Sequence, residues 1–375
     1  MEDNKTVNRP TAVKLLGIIF DYLTKIASER SVDKILRLIA DFGRDVVSAD
    51  RCTVWLLDEK KDILWTRVAH GVDRIEISRN NGIAGEVATT GEPLIINDPY
   101  SDPRFDKEVD KKTGYTTYGI IALPIRDSDG NMIGVVQVLN SLTPLKKFTK
   151  KDQQHLMLAA SYAGNQLEAV MLQEEMENTQ REIIFTLAET GEMRSKETGN
   201  HVKRVAEYSR ILAELYGLSE TEALLLKTAS PLHDIGKIAI PDSILLKNGP
   251  LNDEERKIMM GHTTLGYEML KHSDRKTLKA AAAIALHHHE KWDGSGYPNG
   301  LKGDEINLYG RITAIGDVFD ALACPRVYKP AWEKKRVIET FRKDSGTHFD
   351  PVLTKLFLDN FEQFWKVHNT LSDNR

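Results

Sequence analysis

Between residues 197 and 317 this 375-residue chain brings together histidines and carboxylates in a pattern suited to holding metal ions. Glu197 and His201 stand four apart, so on a helix both side chains leave one face and can grip the same ion. His233 and Asp234 are adjacent, about 100° apart on a helix, which suits an imidazole on one ion and a carboxylate shared with its neighbour. His262, the pair His288 and His289, and Asp317 complete a set of eight candidates. Eight exceeds the ligands of one tetrahedral or octahedral ion, so two or three divalent ions are expected. Such ions can acidify a bound water and act as Lewis acids. A set of imidazoles and carboxylates fits iron or manganese, and zinc and nickel would also bind it.

Each residue alone is a weak signal, because a single histidine in a helical domain is more often a packed or solvated side chain than a ligand. His70, His155, His272, His348 and His368 take that reading. The context lifts the others: HDIGK, HTTLG, HHEKWDGSGYP and GDVFDAL follow one another in order.

The elements that must position these residues differ in the two halves. Before residue 150, short apolar or alternating runs (CTVWLL, ILWTRVA, PLIIN, GIIALPI, MIGVVQVLN) are separated by turn residues, with a hairpin signal at Asp129-Gly130. Val32 to Val47 is helical by the spacing of Ile35, Leu36, Ile39 and Phe42. This half reads as α+β around an antiparallel sheet, and GIAGEVATTGEPLIINDPYSDPRF (residues 82–105) reads as a loop-rich pocket above it. After residue 150 the pattern is all-α, with capping-box starts at Ser219/Glu222 and Asn252/Glu255. Leu156, Ala160, Ala163, Leu167 and Val170 repeat at intervals of four and three, then the pattern fails at Glu174. Those residues form either the seam of a dimeric coiled coil or one face of a helix packed on its own domain.

Composition narrows the class. The chain is 41% hydrophobic and 28% charged with net charge -4, which favours neither a nucleic-acid polymer nor an anionic membrane as partner. No apolar run approaches a membrane span, and the N-terminal apolar run is broken by Asp21, against a cleaved signal. Cys52 and Cys324 are too few for a disulfide framework, so a cytoplasmic location is expected.

Residues 82–85 (Gly-Ile-Ala-Gly) and 90–93 (Thr-Gly-Glu-Pro) resemble a GAF domain covering roughly Arg30 to Ser141. That resemblance implies dimerisation and, in members that sense, a small-molecule ligand. Asn97-Asp98, Phe105 and Asp110-Lys111 match in part a signature of nucleotide-binding members. His233-Asp234-Ile235-Gly236-Lys237 and the run His288 to Pro298 are similar to the HD-GYP family of metal-dependent phosphohydrolases, over roughly Thr190 to Trp365. The expected architecture is an N-terminal helical segment (1–29), a GAF domain (30–150), a helical linker (151–189) and an all-α HD-GYP bundle (190–375).

The resemblance implies a two- or three-ion centre, of iron first and manganese as the alternative, hydrolysing cyclic di-GMP to pGpG or GMP. It places Glu197 on a third ion, and Asp320, Arg326 and Lys329 against the substrate. Lys237, a compact cation, is the candidate to hold a phosphate oxygen, with Asp234 beside it in the catalytic role. Gly294 and Gly296 let the chain fold close to a ligand, Tyr297 offers a ring or hydroxyl, and His287 reads as structural. Ala323-Cys324 and Ser195 depart from the family pattern without touching a proposed ligand. Two other functions stay open: an HD hydrolase of another nucleotide, and a non-catalytic cyclic di-GMP receptor or adaptor. A homodimer through the GAF domain and linker helix, with the GAF signal passing along that helix, is the expected assembly.

Overall fold

A computed structural model of the chain describes residues 7–66, 75–195, 199–324 and 331–372. The chain divides into two compact units, Met1–Met176 and Glu177–Arg375.

In the first unit, helices α1 (Ala12–Ser28) and α2 (Val32–Val46) precede a sheet of strands β1 (Ala49–Asp58), β2 (Ile63–Thr66), β3 (Ile75–Ser78), β4 (Leu94–Ile96), β5 (Ile120–Arg126) and β6 (Met132–Ser141). Its order is β3-β2-β1-β6-β5-β4, with every pairing antiparallel. The predicted hairpin is present: Asp127 and Asn131 close it by a backbone hydrogen bond, and Gly130 takes the left-handed conformation at φ +88°. One expectation fails. Residues 82–90 form a helix, α3 (Gly82–Thr90), rather than a loop-rich pocket. Ile83, Ala84, Val87 and Ala88 recur at helical spacing and bury against Leu64, Ile96, Ile120 and Val135 on one face of the sheet. After α3 and β4 comes a short helix, α4 (Lys107–Thr113).

The residues that partly match a nucleotide-binding signature have structural partners. Asn97 donates to the Phe148 carbonyl and accepts from the Phe148 amide, and buried Asp110 accepts from Thr117 and the Tyr100 hydroxyl.

The opposite face of the sheet carries α2 and the first part of a 45-residue helix, α5 (Lys150–Arg194). Leu156, Ala160, Ala163, Leu167 and Val170 are all buried there with Ile35, Ile39, Val136 and Val138. The spacing read as a possible coiled-coil seam therefore packs α5 onto its own domain. The helix does not stop at Glu174, because the run QEEMENTQRE consists mostly of strong helix formers that propagate without an apolar face.

The second unit is all-α beyond the end of α5: α6 (Gly199–Tyr216), α7 (Glu220–Ala229), α8 (Asp242–Leu245), α9 (Asp253–Met260), α10 (His262–Leu270), α11 (Lys276–His287), α12 (Leu308–Ala323), α13 (Lys334–Asp344), α14 (Pro351–Asp359) and α15 (Phe361–Thr370). Both predicted capping boxes are formed, Ser219 with Glu222 and Asn252 with Glu255. α6 packs on α7 and α12, and α11 packs on α7, α10 and α12. A cluster rich in phenylalanine, Phe319, Phe341, Phe357, Phe361 and Phe364, fills the space beneath α12. This rigid apolar base fixes the faces on which the polar site is built. Ala188, near the end of α5, belongs to the same core, so the expected linker boundary at residue 189 falls inside the helical unit.

Candidate metal centre

Five elements deliver the expected ligands to one place. His201 comes from α6, Asp317 from α12, and His288 and His289 from the end of α11. His262 opens α10, and His233-Asp234 lie between the 3₁₀ turns Ser230–Leu232 and Ile235–Ala239. Ligand atoms of Asp234, His262, His288 and His289 lie within 4.8 Å of one another, as do those of His201, His233 and Asp317.

The backbone sets the tautomers. His262 Nδ1 is 2.8 Å from the Met259 carbonyl, and His288 Nδ1 is 3.1 Å from the carbonyls of Ile284 and Ala285. A carbonyl can only accept, so each Nδ1 carries the proton and each Nε2 presents a lone pair. Those two Nε2 atoms face each other at 3.4 Å, with Asp234 Oδ1 3.1 Å from one and 3.6 Å from the other. His233 repeats the arrangement, with Nδ1 2.9 Å from the Ser230 carbonyl. His233 Nε2 and Asp234 Oδ1 are buried and make no hydrogen bond. Buried imidazole Nε2 atoms converging on carboxylate oxygens, with the Nδ1 side held by backbone carbonyls, are what a cation site requires, so the donor set fits divalent metal.

The local field points the same way. Burial lowers His288 and His289, keeping their imidazoles neutral and able to ligate. Burial would also lower His233, but Asp234, Asp317 and Glu192 outweigh it and push it up to about 10, which marks a position that calls for positive charge. Burial would raise Asp234, yet the Lys237 ammonium and His233 hold it well below the usual carboxylate range.

Lys237 projects from the turn Ile235–Ala239, and its Nζ lies 2.5 Å from Asp234 Oδ2. That turn presses against α10 so closely that a Cβ on Gly236 would stand 1.9 Å from the His262 carbonyl oxygen. Gly236→Ala should displace both Lys237 and His262 at a cost of about 1–3 kcal/mol, read as a lowered urea midpoint together with weakened metal retention.

Tyr297 stacks on His289 with ring centroids 4.8 Å apart. The loop that carries it is tied by Glu290, a buried carboxylate accepting the amides of Asn299 and Leu301. Gly296 lies where a Cβ would be 2.3 Å from the Lys291 nitrogen, which is the close approach its residue type predicts. His287 is structural, its Nδ1 accepting the Asn307 amide.

Asp320 requires a correction. Expected against the substrate, it is buried one turn below Asp317, its carboxylate 2.6 and 2.9 Å from Arg204 and 2.9 Å from His201 Nδ1. It orients His201, a candidate ligand, instead of meeting solvent. Glu197, Arg326 and Lys329 lie outside the described residues. The sequence reading missed Arg204, Glu290 and Glu192. Arg204 stands three residues after His201, on the same helix face, and Glu290 directly follows the histidine pair. Glu192 had no such neighbour to point to it.

Comparison with known proteins agrees with this division. Residues 31–167 match the GAF domain model and residues 186–353 the HD domain model. The chain is 46% identical over 228 residues to the 3'3'-cGAMP-specific phosphodiesterase 2 of Vibrio cholerae, covering 61% of this chain and 44% of that one. It is 45% identical over 177 residues to the cyclic di-GMP phosphodiesterase response regulator RpfG of Xanthomonas campestris, covering 47% of each chain. To the cyclic di-GMP phosphodiesterase of Thermotoga maritima it is 44% identical, covering 51% of this chain and 52% of that one. The chain thus spans about half the length of the curated relatives it matches. Two family models thus match most of its length: the GAF domain model in the N-terminal part, and the HD domain model over the segment that holds the clustered histidines and carboxylates.

Proposed function

We propose that the protein is a metal-dependent phosphodiesterase that hydrolyses cyclic di-GMP to pGpG, GMP or both, under the influence of its GAF domain. The observation that carries this reading is the convergence of His262 Nε2, His288 Nε2 and Asp234 Oδ1 in a buried space. His201, His233, Asp234, His262, His288, His289 and Asp317 would hold iron, or alternatively manganese, and Glu197 a third ion. Bound ions supply an acidified water and neutralise phosphate charge.

The chain's own groups do the rest. Lys237 offers an ammonium to a non-bridging phosphate oxygen, and Tyr297, fixed on His289, gives a flat face to a guanine. Arg326 and Lys329 add phosphate contacts. The experiment is anaerobic purification with iron and manganese quantified, followed by product analysis on cyclic di-GMP. Guanosine products that disappear on chelation support the reading. Metal-replete protein that binds cyclic di-GMP uncleaved would make it a receptor instead. A second substrate, 3'3'-cGAMP, belongs in the same assay because a 46% identical relative is named for it.

The assembly belongs to this reading. Val13, Leu16 and Phe20 form an exposed apolar stripe on α1, and Leu158, Leu172 and Met176 form another on α5, whose Tyr162 hydroxyl donates to the Leu23 carbonyl of α1. A second copy would cover both stripes, giving a homodimer through the GAF domain and the linker helix. Leu172→Glu with Met176→Glu should shift sedimentation from dimer to monomer. A small-molecule GAF ligand would act through this helix. No helix among the described residues is long and apolar enough to cross a membrane, and a cytoplasmic setting suits two free cysteines and a nucleotide substrate.

A further inference from the structure

The last turn of α5 reaches the metal centre. Glu192, 2% exposed, places its carboxylate oxygen 3.7 Å from Lys237 Nζ and has a ligand atom within 4.8 Å of those of His233 and Asp234. It is aimed by Ser195, whose hydroxyl donates to Glu192 Oε2 at 2.9 Å. Two residues on, the Arg194 guanidinium donates to the carbonyls of Lys237, Ile238 and Ile240 and to the Asp242 carboxylate. One helical turn therefore grips both ends of Lys237, its backbone through Arg194 and its ammonium through Glu192.

Resting on the hydrolase reading above, we infer that Glu192 is a positioning residue for Lys237. The physical need is electrostatic. Asp234 is the nearer carboxylate to Lys237, but an Asp234 that ligates cations has its charge spent on them. The same cations repel an ammonium a few ångströms away, the more strongly because the site is buried. A second buried carboxylate, attached to a different element, keeps Lys237 over the site under that repulsion. Substitution of Glu192 releases the ammonium without removing it, so its effect passes entirely through Lys237.

The test is a double-mutant cycle of Glu192→Gln and Lys237→Met in the full-length protein. It has three readouts: hydrolysis of cyclic di-GMP, 3'3'-cGAMP and bis(p-nitrophenyl) phosphate; metal ions per chain; and thermal unfolding of the metal-free protein. Glu192→Gln should lower kcat about 10- to 100-fold with metal content intact, and should cost nothing further in the Lys237→Met background. The unfolding midpoints should show the same non-additivity. Additive losses overturn the inference, and so does loss of an ion in Glu192→Gln, which would make Glu192 a ligand. If the metal-replete wild type cleaves none of the three phosphodiesters, the hydrolase reading falls, while the unfolding cycle still decides whether Glu192 holds Lys237.

Discussion

Asp234→Ala is expected to abolish hydrolysis, lowering kcat by about 10³-fold or more and stripping the protein of metal. The magnitude follows from the arrangement around the carboxylate. Asp234 Oδ1 lies beside the Nε2 atoms of His262 and His288, and Oδ2 lies 3.4 Å from His233 Nε2 and 2.5 Å from Lys237. Its removal takes the central carboxylate from four basic groups, leaving only the more distant Glu192 at 3.7 Å from Lys237 and Asp317 at 4.0 Å from His233 to offset their charge. Metal ions contribute several kcal/mol to phosphoryl chemistry, and each 1.4 kcal/mol is about tenfold in rate. Product formation and metal content should fall together, while far-ultraviolet circular dichroism stays near wild type. Full activity with Asp234→Ala, or full metal with no activity in the wild type, would place the chemistry elsewhere.

Asp320→Ala should destabilise the helical domain by about 3–5 kcal/mol, because it removes one partner of a buried ion pair. Arg204 is 1% exposed, and its guanidinium is met by both Asp320 oxygens and the Leu371 carbonyl. Without the carboxylate, Arg204 keeps its charge and loses both Asp320 oxygens. His201 also loses the acceptor for Nδ1, so metal affinity should drop at conditions where the domain is still folded. The urea midpoint and metal titration separate the two effects.

The same carboxylate predicts an acid limb. Burial would raise Asp320, but His201 and Arg204 outweigh it and hold the carboxyl below its ordinary value. A carboxyl depressed in the folded state binds its proton more readily when unfolded, so its contribution is complete above the unfolded value near ~3.9 and is lost as pH falls below it. Asp320→Asn should therefore lower stability at neutral pH and flatten the stability profile at low pH.

Arg204 illustrates what a sequence withholds. Its spacing from His201 puts it on the ligand-bearing face of α6, yet nothing local says that its partner lies 116 residues further on, at Asp320. Asp320 itself follows Asp317 by three residues, and the family likeness suggested a substrate role for it. Two carboxylates on one helix face, one turn apart, meet different partners. Asp317 is left at the rim of the site, and Asp320 lies below it against α6. The Leu156 to Val170 spacing had the same ambiguity. A 4-3 apolar repeat records that one face is buried and not what buries it, and here the domain's own sheet does so. Strand β3 escaped notice because four residues, Ile75–Ser78, are too short for a pattern, and pairing with β2 supplies what their sequence lacks.

Sequence by itself determined the ligand chemistry, the order of the two domains and the turns that carry the histidines. Imidazoles and carboxylates are visible in the residues themselves, and capping and turn residues act over three or four positions. Tertiary structure alone decided which carboxylate faces the histidine cluster and which pairs with Arg204, which helix face is buried, and that α5 ends with Glu192 beside Lys237. Those outcomes depend on distances between residues remote in the chain, and these are fixed only when the apolar faces pack.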